Sequence, residues 1–292
     1  MSSNQRPLLA AVWMSGAIVS FSTMAIAGRA VLGVLDTFEL MMHRSFIGVA
    51  VILVVGGWTG RLSEVRFDRL GLHFLRNLCR FAGQNLWFYA LGLISLAQLF
   101  ALEFTSPIWL MVFAALFLGE RLTGIRLTAL ALGFLGALIV ARPGTGGDPL
   151  GLLIAAMSAV GFAGSIVITK ALTRTETIVG ILFWLTLMQA GMGLIATGWD
   201  GDIAWPPLNL WPWVVLVGCA GLVAHTCLTN ALMLAPATVV TPIDFLRLPA
   251  IAVVGWAFYA EALDIWVFVG AGLIFAGNYL NIWTEARRAR PT

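Results

Sequence analysis

Charge is scarce in this chain. Of its 292 residues, 11% are Asp, Glu, Lys or Arg and 60% are hydrophobic. A soluble domain carries roughly 25% charged residues, so the deficit excludes that class and leaves an integral membrane protein. Cysteine is scarce too. Cys79, Cys219 and Cys227 all sit in apolar stretches, with neither metal-ligand spacing nor the pattern of a disulfide framework. The net charge of +3 offers no basic field for nucleic acid. The expected partners are a small-molecule substrate and the lipid bilayer, and nothing asks for a cofactor or a metal. Arg6 followed by a long apolar run reads as a retained first helix rather than a cleaved leader.

Catalytic signatures are missing as well. There is no phosphate-binding Gly-x-x-x-x-Gly-Lys-Ser/Thr and no His-Glu-x-x-His. The GFAGS of residues 161–165 lacks the Gly-x-Ser-x-Gly elbow and an evident base. No arginine ladder points to voltage sensing, and no TVGYG-type filter points to a channel. An enzyme is not expected. An intramembrane hydrolase and a structural subunit stand as distant alternatives.

Long apolar runs are what the chain does have. A spanning helix needs about 20 of them in a row. The runs 8–28, 37–58, 71–93, 96–119, 127–141, 150–172, 177–199, 211–235, 237–260 and 263–283 give ten candidate spans. The third and fourth are nearly fused, as are the eighth and ninth. Arg6, Arg61, Arg66, Arg69, Arg121, Arg126, Arg174, Arg287, Arg288 and Arg290 fall on one side, while Arg29 and Arg142 fall in loops on the other. The positive-inside rule then puts both termini in the cytoplasm.

A shift of 141 residues lays Leu75 on Leu216, Phe104 on Phe245, Glu120 on Glu261 and Gly136 on Gly277, with helix boundaries in register. Five helices per half is an odd number, so the second half enters the membrane inverted. The expected fold is therefore all-α: ten transmembrane helices in two inverted five-helix repeats, residues 1–144 and 145–292. Such repeats mark secondary transporters with a site near the midplane, and two complete halves suffice for a monomer.

The same shift lays Glu103 on Asp244. Ionisable groups within spans are rare and face a bundle interior or a wet cavity. Glu103 has two readings of equal standing, a cavity ligand for an ammonium or proton and a structural hydrogen bond. Asp244 has Arg247 three residues on, on the same helix face, which favours an internal ion pair. His225 falls on Gln84, and both are candidate cavity residues. Arg76, Arg80 and Gln84 step by four along one helix stripe. Arg76 is open to a second reading, snorkelling to headgroups. Trp13, Trp87 and Trp109, with Phe21, Phe88 and Tyr89, are candidates for stacking on an aromatic substrate or for plain packing. Gly161, Gly164 and Ser165 in one helix, and Gly218 and Gly221 in another, carry small-residue spacing that lets helices approach.

These features resemble the drug/metabolite transporter superfamily, EamA type. The residues that carry the resemblance are the two fused helix pairs, the ELMMHR that ends at Arg44, and Pro107 to Gly119-Glu120 with its echo Pro249 to Glu261. It covers nearly the whole chain. It implies a multi-pass protein of the bacterial inner membrane, with a central cavity lined by helices one, three, four, six, eight and nine. Gln84, Trp87, Phe88, Glu103, Trp109, Ser165, His225, Asp244 and Arg247 are the implied substrate-binding candidates, and Glu120 and Glu261 are implied to be structural. The overall look is similar to the amino-acid exporters, above all the aromatic amino acid group. The chain departs from the small multidrug resistance relatives, which carry a glutamate in helix one; here that run has no acid. The expectation is export of amino acids, aromatic or hydrophobic, by alternating access. The alternative is uptake or exchange of a larger metabolite such as a nucleotide derivative.

Overall fold

The computed structural model describes residues 7–118, 124–142, 148–172, 175–199, 203–234, 247–262 and 264–288. Its elements are α1 (Pro7–Val31), α2 (Thr37–Trp58), α3 (Leu70–Leu91), α4 (Leu96–Glu103), α5 (Ser106–Leu118), α6 (Gly124–Ala141), α7 (Pro149–Leu172), α8 (Ile178–Thr197), α9 (Trp211–Leu234), α10 (Arg247–Tyr259) and α11 (Ile265–Arg288). A 3₁₀ turn at Arg61–Glu64 follows α2. There, Arg61 donates to Glu64 at 2.8 Å, which pulls the Glu64 carboxyl below its ordinary value. Among the described residues, five helices are long and apolar enough to cross a membrane: α1, α2, α7, α8 and α9.

Helix α3 is as long as α2 but far more polar, for a physical reason. His73, Arg76, Asn77, Gln84 and Asn85 are all buried within it, so its polar stripe faces protein rather than lipid. It is wrapped chiefly by α7, with α8 and α1 also in contact. Glycine makes the main contact close. A Cβ on Gly161 would sit 2.9 Å from Gly83 Cα and 3.0 Å from the Cys79 carbonyl oxygen. The pair α6–α11 is closer still, because a Cβ on Gly136 would lie 2.6 Å from the Gly270 carbonyl. The remaining large contacts are α1 with α9 and α2 with α8.

The expected fourth helix is not one rod. It breaks into α4 and α5 at Phe104–Thr105. Pro107 has no N–H to give to the Glu103 carbonyl, and its ring crowds the turn before it. The chain tightens instead: Thr105 donates from its backbone to Leu102 at 3.1 Å, and its hydroxyl donates to the same carbonyl at 2.6 Å. The break therefore falls beside Glu103. The expected ninth helix is described only from Arg247 onward, and Asp244 and Glu120 lie outside the described residues.

Two capping boxes set helix starts. Asp36 accepts from the Glu39 N–H at 2.7 Å while Glu39 accepts from the Asp36 N–H at 2.9 Å. Ser95 and Gln98 do the same for α4. Such caps are each worth about 1 kcal/mol. The second oxygen of Glu39 also accepts from the Ala204 N–H at 2.7 Å, so this box fastens the segment before α9. His43 supports it, with Nε2 3.1 Å from the Ala204 carbonyl oxygen and its ring against Trp205 and Trp211.

Arg29 differs from expectation, whereas Arg142 lies just past the end of α6. Arg29 is not in a loop but in the last turn of α1, paired with Glu261 and donating to the Leu91 and Ile94 carbonyls. Leu91 is the last residue of α3, so its carbonyl has no partner within the helix, and Ile94 lies in the link to α4. Glu261 also accepts from the Leu96 N–H at 2.9 Å, so one ion pair joins the ends of α1, α3, α4 and α10. Arg142 pairs with Asp264, and Gln98 donates to the Ala141 carbonyl at 2.9 Å.

Candidate substrate site

The site is built on the break after α4. Glu103, the last residue of that helix, accepts from Trp87 Nε1 at 2.8 Å and from Arg247 Nη2 at 3.1 Å. Three helices thereby meet at one carboxylate: α3, α4 and α10. The Arg247 guanidinium lies over three rings at once, Phe21 at 4.7 Å, Phe104 at 4.9 Å and Phe100 at 5.1 Å to their centroids. A planar cation among aromatic faces is favoured by their quadrupoles, and guanidinium is weakly hydrated enough to sit there.

A second polar contact lies on the same stripe of α3. Arg80 Nη2 is 2.6 Å from His225 Nε2 on α9. Guanidinium only donates, so Nε2 accepts and the imidazole proton is on Nδ1. The Arg80 guanidinium also covers the Phe162 ring of α7 at 5.0 Å, and the His225 ring meets Phe21 edge-on at 5.4 Å. Gln84 sits one turn beyond Arg80, 3% exposed, and its Oε1 has no hydrogen-bond partner among the described residues. Arg80, Gln84 and Trp87 thus form a continuous face of α3, opposite Phe21, His225 and Arg247.

The other candidates fall around this centre. Phe88 is fully buried, edge-on to Trp87 and wedged against α1. A Cβ on Gly28 would be 2.6 Å from its ring. Ser165 is buried on α7 facing α3; its carbonyl accepts from the Thr169 hydroxyl, which in turn accepts from Arg76 Nε at 2.7 Å. That bond, with Arg76 Nη1 donating to Asn77 at 3.0 Å, turns Arg76 inward rather than out to headgroups. Trp109 lies on α5 beyond the break and makes no hydrogen bond or ring contact with the cluster among the described residues.

Sequence reasoning passed over Phe100 and Phe104 as ring partners, Gln189, and the depth of Arg44. Arg44 is buried between α2 and α9, where a Cβ on Gly221 would be 3.7 Å from its Nη2. Their positions depend on which helices pack together, which a single sequence does not display.

Polar and aromatic groups turned inward, beneath an exterior rich in exposed Leu, Val, Phe and Trp, describe a multi-pass membrane protein with a polar interior path. The model of the EamA-like transporter family matches the chain twice, at residues 8–142 and 149–283. The chain belongs to that family. It is similar to a riboflavin transporter of Brucella anthropi, at 34% identity over 73% of this chain and 77% of that one. A riboflavin transporter of Rhizobium johnstonii is 31% identical over 98% of this chain and 94% of its own. A pseudopaline exporter of Pseudomonas aeruginosa is 28% identical over 87% and 89%. A solved crystal structure superposes with a TM-score of 0.68 at 21% identity, covering 96% of this chain and 99% of that one, which shows a shared fold.

Proposed function

We propose that this EamA-family transporter carries riboflavin or a closely similar planar, acceptor-rich heteroaromatic metabolite across a bacterial inner membrane, inward. The observation that carries the reading is the central cluster. Three flat rings, Phe21, Phe100 and Phe104, surround a guanidinium, Trp87 shares its carboxylate, and a buried Gln84 acceptor is left without a donor among the described residues. A flavin ring offers what this set would take: a face for stacking, carbonyl oxygens for guanidinium, and an imide N–H for Gln84 Oε1. Similarity to two riboflavin transporters supports the same substrate class.

The mechanism would be alternating access between two inverted halves, residues 1–144 and 145–292. Exchanging the halves maps the contact α1–α9 onto α7–α3, and leaves α2–α8 and α6–α11 as they are; that pattern supports a two-fold relation. Opening at one end requires the Arg29–Glu261 joint to part, and the aromatic cluster would then close around the ring from the other side.

Aromatic amino acid export remains a weaker reading. It needs a carboxylate free to meet an α-ammonium, and Glu103 is engaged by Arg247 and Trp87. Uptake of a larger, nucleotide-like metabolite includes the flavin case. The test is flux of radiolabelled riboflavin into proteoliposomes, against tryptophan and phenylalanine. Saturable riboflavin flux that the amino acids do not compete is expected. Saturable tryptophan or phenylalanine flux with none for riboflavin would overturn the proposal.

A further inference from the structure

A small chamber lies where α2, α8 and α9 cross, sharing His225 with the central cluster. Its volume is about 10 Å³, with Arg44, Ser45, Thr186, Gln189, Gly221 and His225 in its wall. That is room for a single water-sized particle. The wall carries positive charge and hydrogen-bond donors. Arg44 is 8% exposed, and its one side-chain partner among the described residues is Met41 Sδ at 3.6 Å, a weak acceptor. Gln189 is 1% exposed and its Nε2 has no partner among the described residues. Neither hydroxyl accepts from Arg44 among the described residues, and each spends its proton on a backbone carbonyl: Ser45 on Met41 at 2.6 Å and Thr186 on Leu182 at 3.1 Å. His225 accepts from a second guanidinium, Arg80, which adds to the positive field.

An isolated buried cation is costly unless it is paired. Among the described residues, the carboxylate that reaches the interior cluster is Glu103, and it is bound to Arg247 and Trp87 instead. A Cβ at Gly221 would stand in ordinary contact with the guanidinium, 3.7 Å from Nη2, so the glycine leaves that side of Arg44 unfilled.

From these observations we infer that the Arg44–Gln189 chamber is a binding site for one small monovalent anion, a halide or the acidic group of a carried molecule. Arg44 supplies the charge and the Gln189 amide supplies a neutral donor. The inference does not depend on the identity of the main substrate.

The experiment uses the purified full chain in gluconate buffer at constant ionic strength, titrated with chloride. Chloride is expected to raise the thermal midpoint by about 3 °C once it exceeds its Kd about tenfold. Arg44→Gln should abolish that shift. Gln189→Leu, which keeps the guanidinium, should weaken chloride about tenfold and stands in should Arg44→Gln not fold. Flux separates the two sources. A free halide ligand leaves the substrate KM unchanged or is required for transport. Competitive inhibition by chloride, relieved in Arg44→Gln, would mean that the site takes the substrate's own acid group. A chloride shift that survives both substitutions, or neither a shift nor an effect on flux in the wild type, would overturn the inference. Riboflavin flux is scored independently, so either proposal can fail alone.

Discussion

Trp87 on α3 and Arg247 on α10 never touch through a bond of their own, yet both donate to Glu103, from 2.8 and 3.1 Å. One carboxylate sets the distance between a ring and a cation on different helices. Removing its charge by Glu103→Gln keeps an acceptor for Trp87 but takes a carboxylate away from Arg247, which is 5% exposed at its side chain. Breaking such a pair costs about 3 kcal/mol. A lowered thermal midpoint together with a raised KM for riboflavin is expected. Arg247→Lys should not preserve function, since an ammonium cannot lie flat among three rings. An unchanged KM in both variants would count against the site.

Pro107→Ala tests the break in the fourth span. Alanine restores the N–H that can reach the Glu103 carbonyl and removes the ring from the turn. Stability should hold or rise, while flux falls at least several-fold because Glu103 turns with the straightened helix. Thermal melting and proteoliposome flux on the same preparation would read both. Full flux in a more stable variant would show that the break is dispensable.

The Arg29–Glu261 pair is best tested as a cycle. Arg29→Gln leaves the Leu91 and Ile94 carbonyls short of a strong donor, and Glu261→Gln weakens the acceptor at Leu96. If the joint acts as a unit, the double variant costs less than the sum, with a coupling above about 1 kcal/mol. Additive losses in the unfolding data would mean that each end is held separately.

Two glycines of one helix pair make a controlled comparison. Gly136→Ala puts a methyl within 2.6 Å of the Gly270 carbonyl and 2.8 Å of the Ile274 nitrogen. Both are backbone atoms that cannot swing away, and the expected loss is about 1–3 kcal/mol. Gly272→Ala meets nothing within 4 Å and should be neutral or slightly stabilising, by up to about 1 kcal/mol, through helix propensity. Melting curves of the two variants should separate in opposite directions.

Much of the architecture was legible because lipid makes strict demands on composition. Apolar runs mark α1, α2, α7, α8 and α9 directly. The step of four through Arg76, Arg80 and Gln84 marks the inward face of α3. The break at Phe104–Thr105 was readable from Pro107, had the proline been weighed as a missing donor rather than as a family mark. The D-T-F-E at residues 36–39 was likewise a readable capping box. The site itself was legible only as a set of names. Gln84, Trp87, Glu103, His225 and Arg247 could be picked out as polar or aromatic groups in spans, but which meets which is decided by packing between distant helices. Arg80 finds His225 and Arg29 finds Glu261 through contacts 145 and 232 residues apart in the chain. Phe100 and Phe104 look like any lipid-facing phenylalanines until Arg247 is laid between them.

The meeting of Gly136 with Gly270 has a mechanical consequence. α6 lies in the first stretch matched by the family model and α11 in the second. Where backbones touch with no side chain between them, no flexible layer remains to shear. The two helices cannot slide past one another without collision, but they can still turn about the point of contact. That point is a fulcrum, and the motion it permits is a tilt of one stretch of the chain against the other, largest where the helices are farthest from it.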